Sequence, residues 1–147
     1  MKQKLTSIAA ILVALTVFTN SALAASPSVG PQASDYLASY MAWMTAMGDG
    51  EVALSFDVMA TDKMAEVGAG YLCIQEKEPG GTWKLVLTYY LGDNPDLLES
   101  DTYIYGTTVY YQGVAGYQYK GSIIAYAHGY DGGSDSRSVG TSTITAT

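Results

Sequence analysis

The strict alternation of apolar and polar residues after Gly50 is the feature that most limits how this chain can fold. The apolar members of the run are Val52, Leu54, Phe56 and Val58. A repeat of two residues is the signature of a β-strand with one buried face. The chain also carries 13 tyrosines and 16 glycines. Tyr, Thr, Val and Ile favour strands and Gly favours turns, so the sequence predicts an antiparallel all-β fold.

Turn signals divide the chain into seven predicted strands of about ten residues each. The first of them would also suit a helix, because it is rich in Met, Ala and Leu. A polar connection (61–68) and a longer acidic connection (92–102) separate some of the strands, whereas the other turns are short and glycine-rich. This spacing predicts a seven-stranded β-sandwich. The predicted strands span 35–47, 51–59, 69–78, 82–91, 103–112, 117–127 and 136–146.

The N-terminus predicts export from the cytoplasm. Lys2 and Lys4 precede an apolar run (8–18), and Ala22-Leu23-Ala24 follows as a cleavage site of the A-x-A type. The run is short for a membrane span, so a retained anchor is the weaker alternative. We therefore expect a signal peptide over 1–24, a flexible segment over 25–34 and the β domain over 35–147. The expected location is secreted, with no membrane insertion after cleavage.

Charge and cysteine content limit the possible partners. Loss of Lys2 and Lys4 would take the formal charge from −7 to −9. Such an acidic chain repels nucleic acid and favours a cation or a basic partner. Cys73 is the only cysteine, so no disulfide can form within the chain. We expect Cys73 to pack as a small apolar residue inside a strand, with a reactive thiol as the alternative.

The segment after the turn at Gly116 resembles the start of strand F in fibronectin type III and related immunoglobulin-like domains. Tyr119 lies three residues beyond that glycine, and small and apolar residues then alternate along the strand. The resemblance implies that the Tyr119 hydroxyl hydrogen-bonds back to the backbone and closes the corner. The stretch 72–83, which ends at Trp83, also resembles a hairpin of such domains and gives Trp83 a structural role.

The chain as a whole resembles small secreted proteins of Gram-positive bacteria that form an uncharacterised family. The signal segment, Met64-x-Glu66-x-Gly68, the Gly-Thr-Trp at 81–83 and the segment 132–137 carry this similarity. The resemblance implies an exported immunoglobulin-like sandwich and no particular activity.

Acidic residues are concentrated in three of the predicted connections. If the strands run up and down in order, the connections 61–68, 92–102 and 128–136 meet at one end of the sandwich. A calcium site, contact with a basic partner and plain solvated turns all remain open for this end. No other cofactor is expected. The candidate binding residues are Asp62, Glu66, Asp93, Asp96, Glu99, Asp101, Asp131 and Asp135.

Tyrosines offer a second candidate surface. The adjacent pairs Tyr89-Tyr90 and Tyr110-Tyr111 must place one ring on each face of a strand. An outward row of rings would suit a sugar or a protein, and cross-strand packing is the alternative. The tyrosines considered are Tyr36, Tyr40, Tyr89, Tyr90, Tyr103, Tyr105, Tyr110, Tyr111, Tyr117, Tyr126 and Tyr130.

Catalytic motifs are sparse. The chain has one histidine, His128, and no G-x-S-x-G elbow, phosphate loop or zinc-type ligand spacing. We therefore expect no enzymatic activity. The predicted function is a secreted binding or adhesion module that recognises a protein or glycan through the acidic connections or the tyrosine-rich face. A self-assembling structural protein is the main alternative, and a small secreted toxin or a hydrolase is a weaker one.

Overall fold

The computed structural model describes residues 34–147 as strands joined by turns and one short 3₁₀ segment, Pro95–Leu97. The predicted signal peptide and nearly all of the predicted 25–34 segment lie outside the described residues. The prediction of an all-β fold with seven antiparallel strands is confirmed. In this part of the chain, no helix is long and apolar enough to cross a membrane. The strands are β1 (Leu37–Gly48), β2 (Glu51–Lys77), β3 (Lys84–Tyr90), β4 (Leu98–Gln112), β5 (Gln118–His128), β6 (Ser134–Gly140) and β7 (Ile144–Thr145).

β2 is a single strand of 27 residues, and this corrects the predicted boundaries. The predicted strand 51–59 and the predicted connection 61–68 lie within it, as does the predicted strand 69–78 apart from its last residue. Thr61, Asp62 and Lys63 are exposed, which gives the segment the composition of a loop. Its backbone nevertheless stays paired on either side of these residues, since β4 pairs with β2 again from Met64 to Gly68. Backbone pairing overrides local composition here.

All the other strands are arranged around β2. β1 pairs with its first half and β5 with its second half. β4 and β3 follow each other along the opposite side, because Val67 pairs with both β4 and β5 and Leu72 pairs with both β3 and β5. β6 and β7 extend the sheet beyond β5. The result is one antiparallel sheet with a single long central strand.

The sheet curls because β2 bends. A straight strand of this length would reach about 90 Å, far more than a domain of this size can accommodate. Register irregularities fall between Met59 and Met64 and between Ala69 and Tyr71. Gly68 lies between them with φ 153°, and a Cβ there would collide with the carbonyl oxygen of Leu97. The two halves of the sheet therefore fold toward each other as a curled half-barrel.

The core lies inside the curl. Val52, Leu54, Phe56 and Val58 are at most 1% exposed, so the period-two pattern correctly predicts the buried face of β2. Gly121 of β5 brings the two halves into contact, since a Cβ there would lie 2.8 Å from both methyl groups of Leu54. Cys73 is also buried, in agreement with its predicted packing role.

Candidate functional site

The acidic candidates are carried mainly by strands. Asp62 and Glu66 lie in β2, Glu99 and Asp101 in β4, and Asp135 in β6, so the prediction that all eight acids occupy loops was wrong. The observed strand boundaries differ from the predicted ones because β2 runs through the predicted connection 61–68. In addition, β4 begins at Leu98, inside the predicted connection 92–102. The remaining three acids are Asp93, in a turn, Asp96, in the 3₁₀ segment, and Asp131, in the β5–β6 loop.

Neighbouring side chains occupy several of these carboxylates. Lys63 Nζ lies 2.8 Å from Asp101 Oδ2, and the Tyr130 hydroxyl donates to the other oxygen of the same carboxylate. These two hydrogen bonds lower the pKa of Asp101, with that from Lys63 the larger cause. Glu66 Oε2 lies 3.7 Å from His128 Nδ1. Contacts thus link β2, β4, β5 and the loop after β5 at this end of the molecule.

The β5–β6 loop is tied to the start of β1. The Tyr36 hydroxyl donates to Asp131 Oδ2 over 2.9 Å, and the Gly133 backbone N–H donates to Asp131 Oδ1, also over 2.9 Å. Both bonds lower the pKa of Asp131, the Gly133 N–H most strongly. Asp135 pairs with Arg137, and hydrogen bonding by the Ser34 side chain is the largest cause of its lowered pKa.

Asp101, Asp131 and Asp135 are therefore engaged in side-chain bonds within the chain. Over residues 34–147, no group of three or more His, Cys, Asp or Glu side chains is arranged to hold a metal ion. The predicted calcium site thus has no assembled ligand set in this part of the chain. The acids that converge here fix the positions of strand ends and one loop.

Tyr119 joins three parts of the fold at the opposite end of β5. Its side chain is fully buried, its hydroxyl donates to Glu76 Oε2 over 2.6 Å, and it accepts from the Val114 backbone N–H over 2.8 Å. Burial, followed by the bond to Glu76, raises the pKa of Tyr119 to about 12. The bond to Val114 spans the turn that precedes β5, which is the contact that the sequence resemblance implies.

Trp83 lies immediately before β3, on the second half of the sheet. Lys120 Nζ is 4.4 Å from its ring centroid and Lys77 Nζ is 6.0 Å from it. This is cation–π geometry. Two of the few lysines of this acidic chain thus lie near the indole ring of Trp83, and this arrangement is structural.

The adjacent tyrosines divide between the two faces, as the alternation predicts. Tyr89 and Tyr111 pack against the core, whereas Tyr90 and Tyr110 are more than half exposed. Tyr90 packs beside Tyr71, with ring centroids 5.3 Å apart. Tyr110 has no such aromatic neighbour among the described residues, so it stands on the outer face of β4.

The outer face of β1, β2 and β4 carries a feature that the sequence analysis missed. Trp43 pairs with Ser55 across β1 and β2, and Ser55 pairs with Thr108 across β2 and β4, so the three side chains form one row. Asp57 and Gly106 form part of the next row. We call this set of five residues the outer platform. Trp43 is 40% exposed, although Trp is more often largely buried.

A shallow recess of about 240 Å³ lies at the centre of the outer platform. Gly106 leaves room for it, because a Cβ at that position would collide with the Asp57 carboxylate. The hydroxyls of Ser55 and Thr108 lie 2.8 Å apart and hydrogen-bond each other. An indole ring, a carboxylate and two hydroxyls thus surround one small depression on the outer face of the sheet.

A larger groove of about 470 Å³ opens where the curl of the sheet does not close. Four consecutive residues of β4, 107–110, form one wall. The other wall contains Tyr89 of β3 together with Asp96 and Leu97 of the 3₁₀ segment. We call this the open-side groove. Asp96 is the only one of the eight acidic candidates that lines it.

Comparison with known proteins adds no relative. No protein-family model matches this chain, and no curated protein matches it in sequence. Its function therefore has to be argued from the two surfaces just described.

Proposed function

We propose that this protein is an exported, non-catalytic binding module that holds a carbohydrate on its outer platform. The observation that carries the proposal is the half-exposed indole of Trp43 beside the recess formed by Asp57, Gly106 and the two hydroxyls. Export is supported by the N-terminal sequence, with its basic start, apolar run and A-x-A site.

The chemistry of the platform suits a sugar. The apolar C–H face of a pyranose ring packs on an aromatic ring, while its hydroxyls need both donors and acceptors. Asp57 supplies acceptors, and Thr108 supplies a hydroxyl that can donate or accept. The hydroxyl of Ser55, which is 8% exposed, lies behind it and bonds to Thr108. The recess is small and shallow, so it fits one or two sugar units on an open surface rather than a deeply enclosed substrate.

We further infer that the curled sheet is a variant of the immunoglobulin-like sandwich. The bond from the Val114 N–H to the Tyr119 hydroxyl supports this inference, because the tyrosine corner of those domains makes an equivalent contact. The outer platform lies on one face of the domain, so binding there would leave the loops at both ends of the domain uncovered.

A pull-down tests the proposal. The purified protein is incubated with insoluble cellulose, chitin and bacterial peptidoglycan, and bound protein is measured against concentration. We expect saturable binding to at least one of them. Trp43→Ala should weaken it by about tenfold or more, as loss of a central tryptophan does in other interfaces. Asp57→Asn should weaken it by about fivefold, since it removes a charged hydrogen-bond acceptor.

Trp83→Ala is the matched control, because Trp83 is the only other tryptophan and lies beside Lys120 on the second half of the sheet. It should bind as the wild type does. Circular dichroism would verify that each variant keeps its strands. Absence of binding to all three polysaccharides, or equal losses with Trp43→Ala and Trp83→Ala, would contradict the proposal.

A further inference from the structure

The open-side groove runs along the edge of a strand. Residues 107–110 of β4 are consecutive, and consecutive residues point to opposite faces of a strand. A cavity lined by all four must therefore follow the strand's edge and not just one face. Among residues 34–147, β4 pairs only with β2, so its other edge presents backbone N–H and C=O groups toward the groove.

This edge lacks the usual protection against pairing. Edge strands are commonly short, or carry lysine, proline or a bulge that keeps other chains away. β4 has 15 residues, and its stretch 103–112 contains no charged residue and no proline. Within that stretch Tyr103, Ile104 and Tyr110 are each at least 42% exposed. Such an edge favours pairing with another extended segment.

We propose that the open-side groove binds an extended, basic segment of a partner protein, which adds to the sheet as a strand beside β4. Main-chain hydrogen bonds along 107–110 would hold the segment, as in other cases of strand addition. Alternate side chains of the segment would point into the groove toward Tyr89, Leu97 and Val109. The outward-pointing ones would lie at the rim of the groove, where a lysine can approach the exposed carboxylate of Asp96.

Charge decides between a basic partner and a second copy of this chain. Of the residues that the structure describes, Asp96 is the only charged one that lines the groove, and the whole chain has a formal charge of −7. A second copy would bring a further acidic surface, and its own β4 stretch 103–112 offers no lysine or arginine to Asp96. A lysine-bearing segment complements the groove, whereas a second copy is repelled.

Fluorescence anisotropy tests the inference with defined probes. The first probe is a labelled nonapeptide in which valine alternates with lysine and threonine, and the second has glutamate in place of lysine. We expect the lysine peptide to bind purified protein and the glutamate peptide to bind at least about tenfold more weakly. Asp96→Lys should weaken binding of the lysine peptide by about five- to tenfold, because attraction becomes repulsion.

Asp93→Lys is the matched control. This substitution makes the same change of charge at an exposed residue three positions earlier, which does not line the groove. We therefore expect it to weaken binding of the lysine peptide by about twofold or less in a buffer whose salt screens the charge. Equal losses with the two variants would mean unspecific attraction to an acidic protein and would overturn the inference.

Backbone methylation separates strand addition from any other mode of binding. Only every second residue of an added strand directs its N–H toward the neighbouring strand. N-methylation of one alternate set of peptide residues should therefore abolish binding, while methylation of the other set should leave it intact. Equal effects of the two sets, no binding of the lysine peptide, or a dimer in light scattering that the lysine peptide dissociates would each contradict the proposal.

Discussion

Single side chains hold the ends of this sheet together. Tyr119 fastens the turn before β5 to β2, because its hydroxyl contacts both the Val114 backbone and Glu76. At the other end Tyr36, Tyr130 and Lys63 each engage an aspartate. Asp101 and Asp131, which look like part of a ligand surface in the sequence, thus accept hydrogen bonds inside the chain.

Tyr119→Phe should lower the free energy of unfolding by about 1–3 kcal/mol, because it leaves the Val114 N–H and the Glu76 carboxylate without their partner. Urea denaturation at pH 7 measures this loss. Tyr130→Phe is the control, since it removes a hydroxyl from an exposed ring bonded to an exposed carboxylate. It should change the free energy of unfolding by about 0.5 kcal/mol or less.

The same tyrosine should produce a distinct pH dependence. The pKa of Tyr119 is about 12 in the folded protein against an ordinary value of 10.0, so its contribution to stability is complete below pH 10 and is lost as the pH rises through 12. Between pH 9 and pH 11 the wild type should lose about 1 kcal/mol more unfolding free energy than Tyr119→Phe. Identical losses in the two proteins would contradict the raised pKa.

At the scale of the elements, the alternation of apolar and polar residues predicts the strands well. It does not show that two predicted strands are parts of one longer strand. The pattern from Val52 to Val58 identifies a buried face, and the glycine turn at 48–50 lies where the sequence places it. The polar residues 61–63 read as a loop, although they occupy the exposed outside of a bend. An exposed bend in a strand and an exposed turn have the same polar composition because both are solvated. Only the strands that pair with the segment distinguish a bend from a turn.

The bend of β2 at Gly68 gives the test at this scale. Gly68→Ala should destabilise the protein by about 2 kcal/mol or more, since a Cβ would meet the backbone of Leu97 and Leu98. Gly70→Ala is the matched control in the same strand, because its Cβ would meet nothing closer than 3.9 Å. Thermal unfolding compares the two. A loss at residue 70 as large as at residue 68 would contradict a special role for the bend.

The outer platform shows why a site can escape prediction at the level of a strand. Trp43 belongs to a segment rich in Met and Ala that also suits a helix, so its outward direction is not evident from the sequence. Asp57 and Thr108 are ordinary polar members of two separate strands. Asp57 and Thr108 lie near Trp43 because of the register of β1, β2 and β4. That register cannot be read from a single sequence.

At the scale of the molecule, one shared strand should make unfolding cooperative. β1, β3, β4 and β5 all pair with β2, and β4 pairs with both halves of it, so the two halves of the sheet share backbone hydrogen bonds. The fold class was predictable because composition and spacing reflect it. The curl was not, because it arises from contacts such as Gly121 against Leu54, which are distant in sequence.

The two tryptophans can report on the two halves separately. Trp43 lies on β1 of the first half, and Trp83 lies beside β3 of the second half. In the single-tryptophan variants Trp83→Phe and Trp43→Phe, fluorescence and circular dichroism should each give coincident urea transitions, as a two-state domain requires. Fluorescence midpoints that depart from circular dichroism in either variant would mean that the halves unfold as independent units.

The central position of β2 also has a consequence for how the chain reaches this state. A chain that emerges from its N-terminus delivers β2 and β3 well before β5, so the edge of β2 that pairs with β5 must wait without a partner even after β3 has paired with the other edge. Such a species exposes apolar surface and unpaired backbone, which favours aggregation. Productive folding of the exported chain should therefore be favoured by a chaperone that covers this edge, or by delivery rapid enough that β5 arrives before two waiting chains meet.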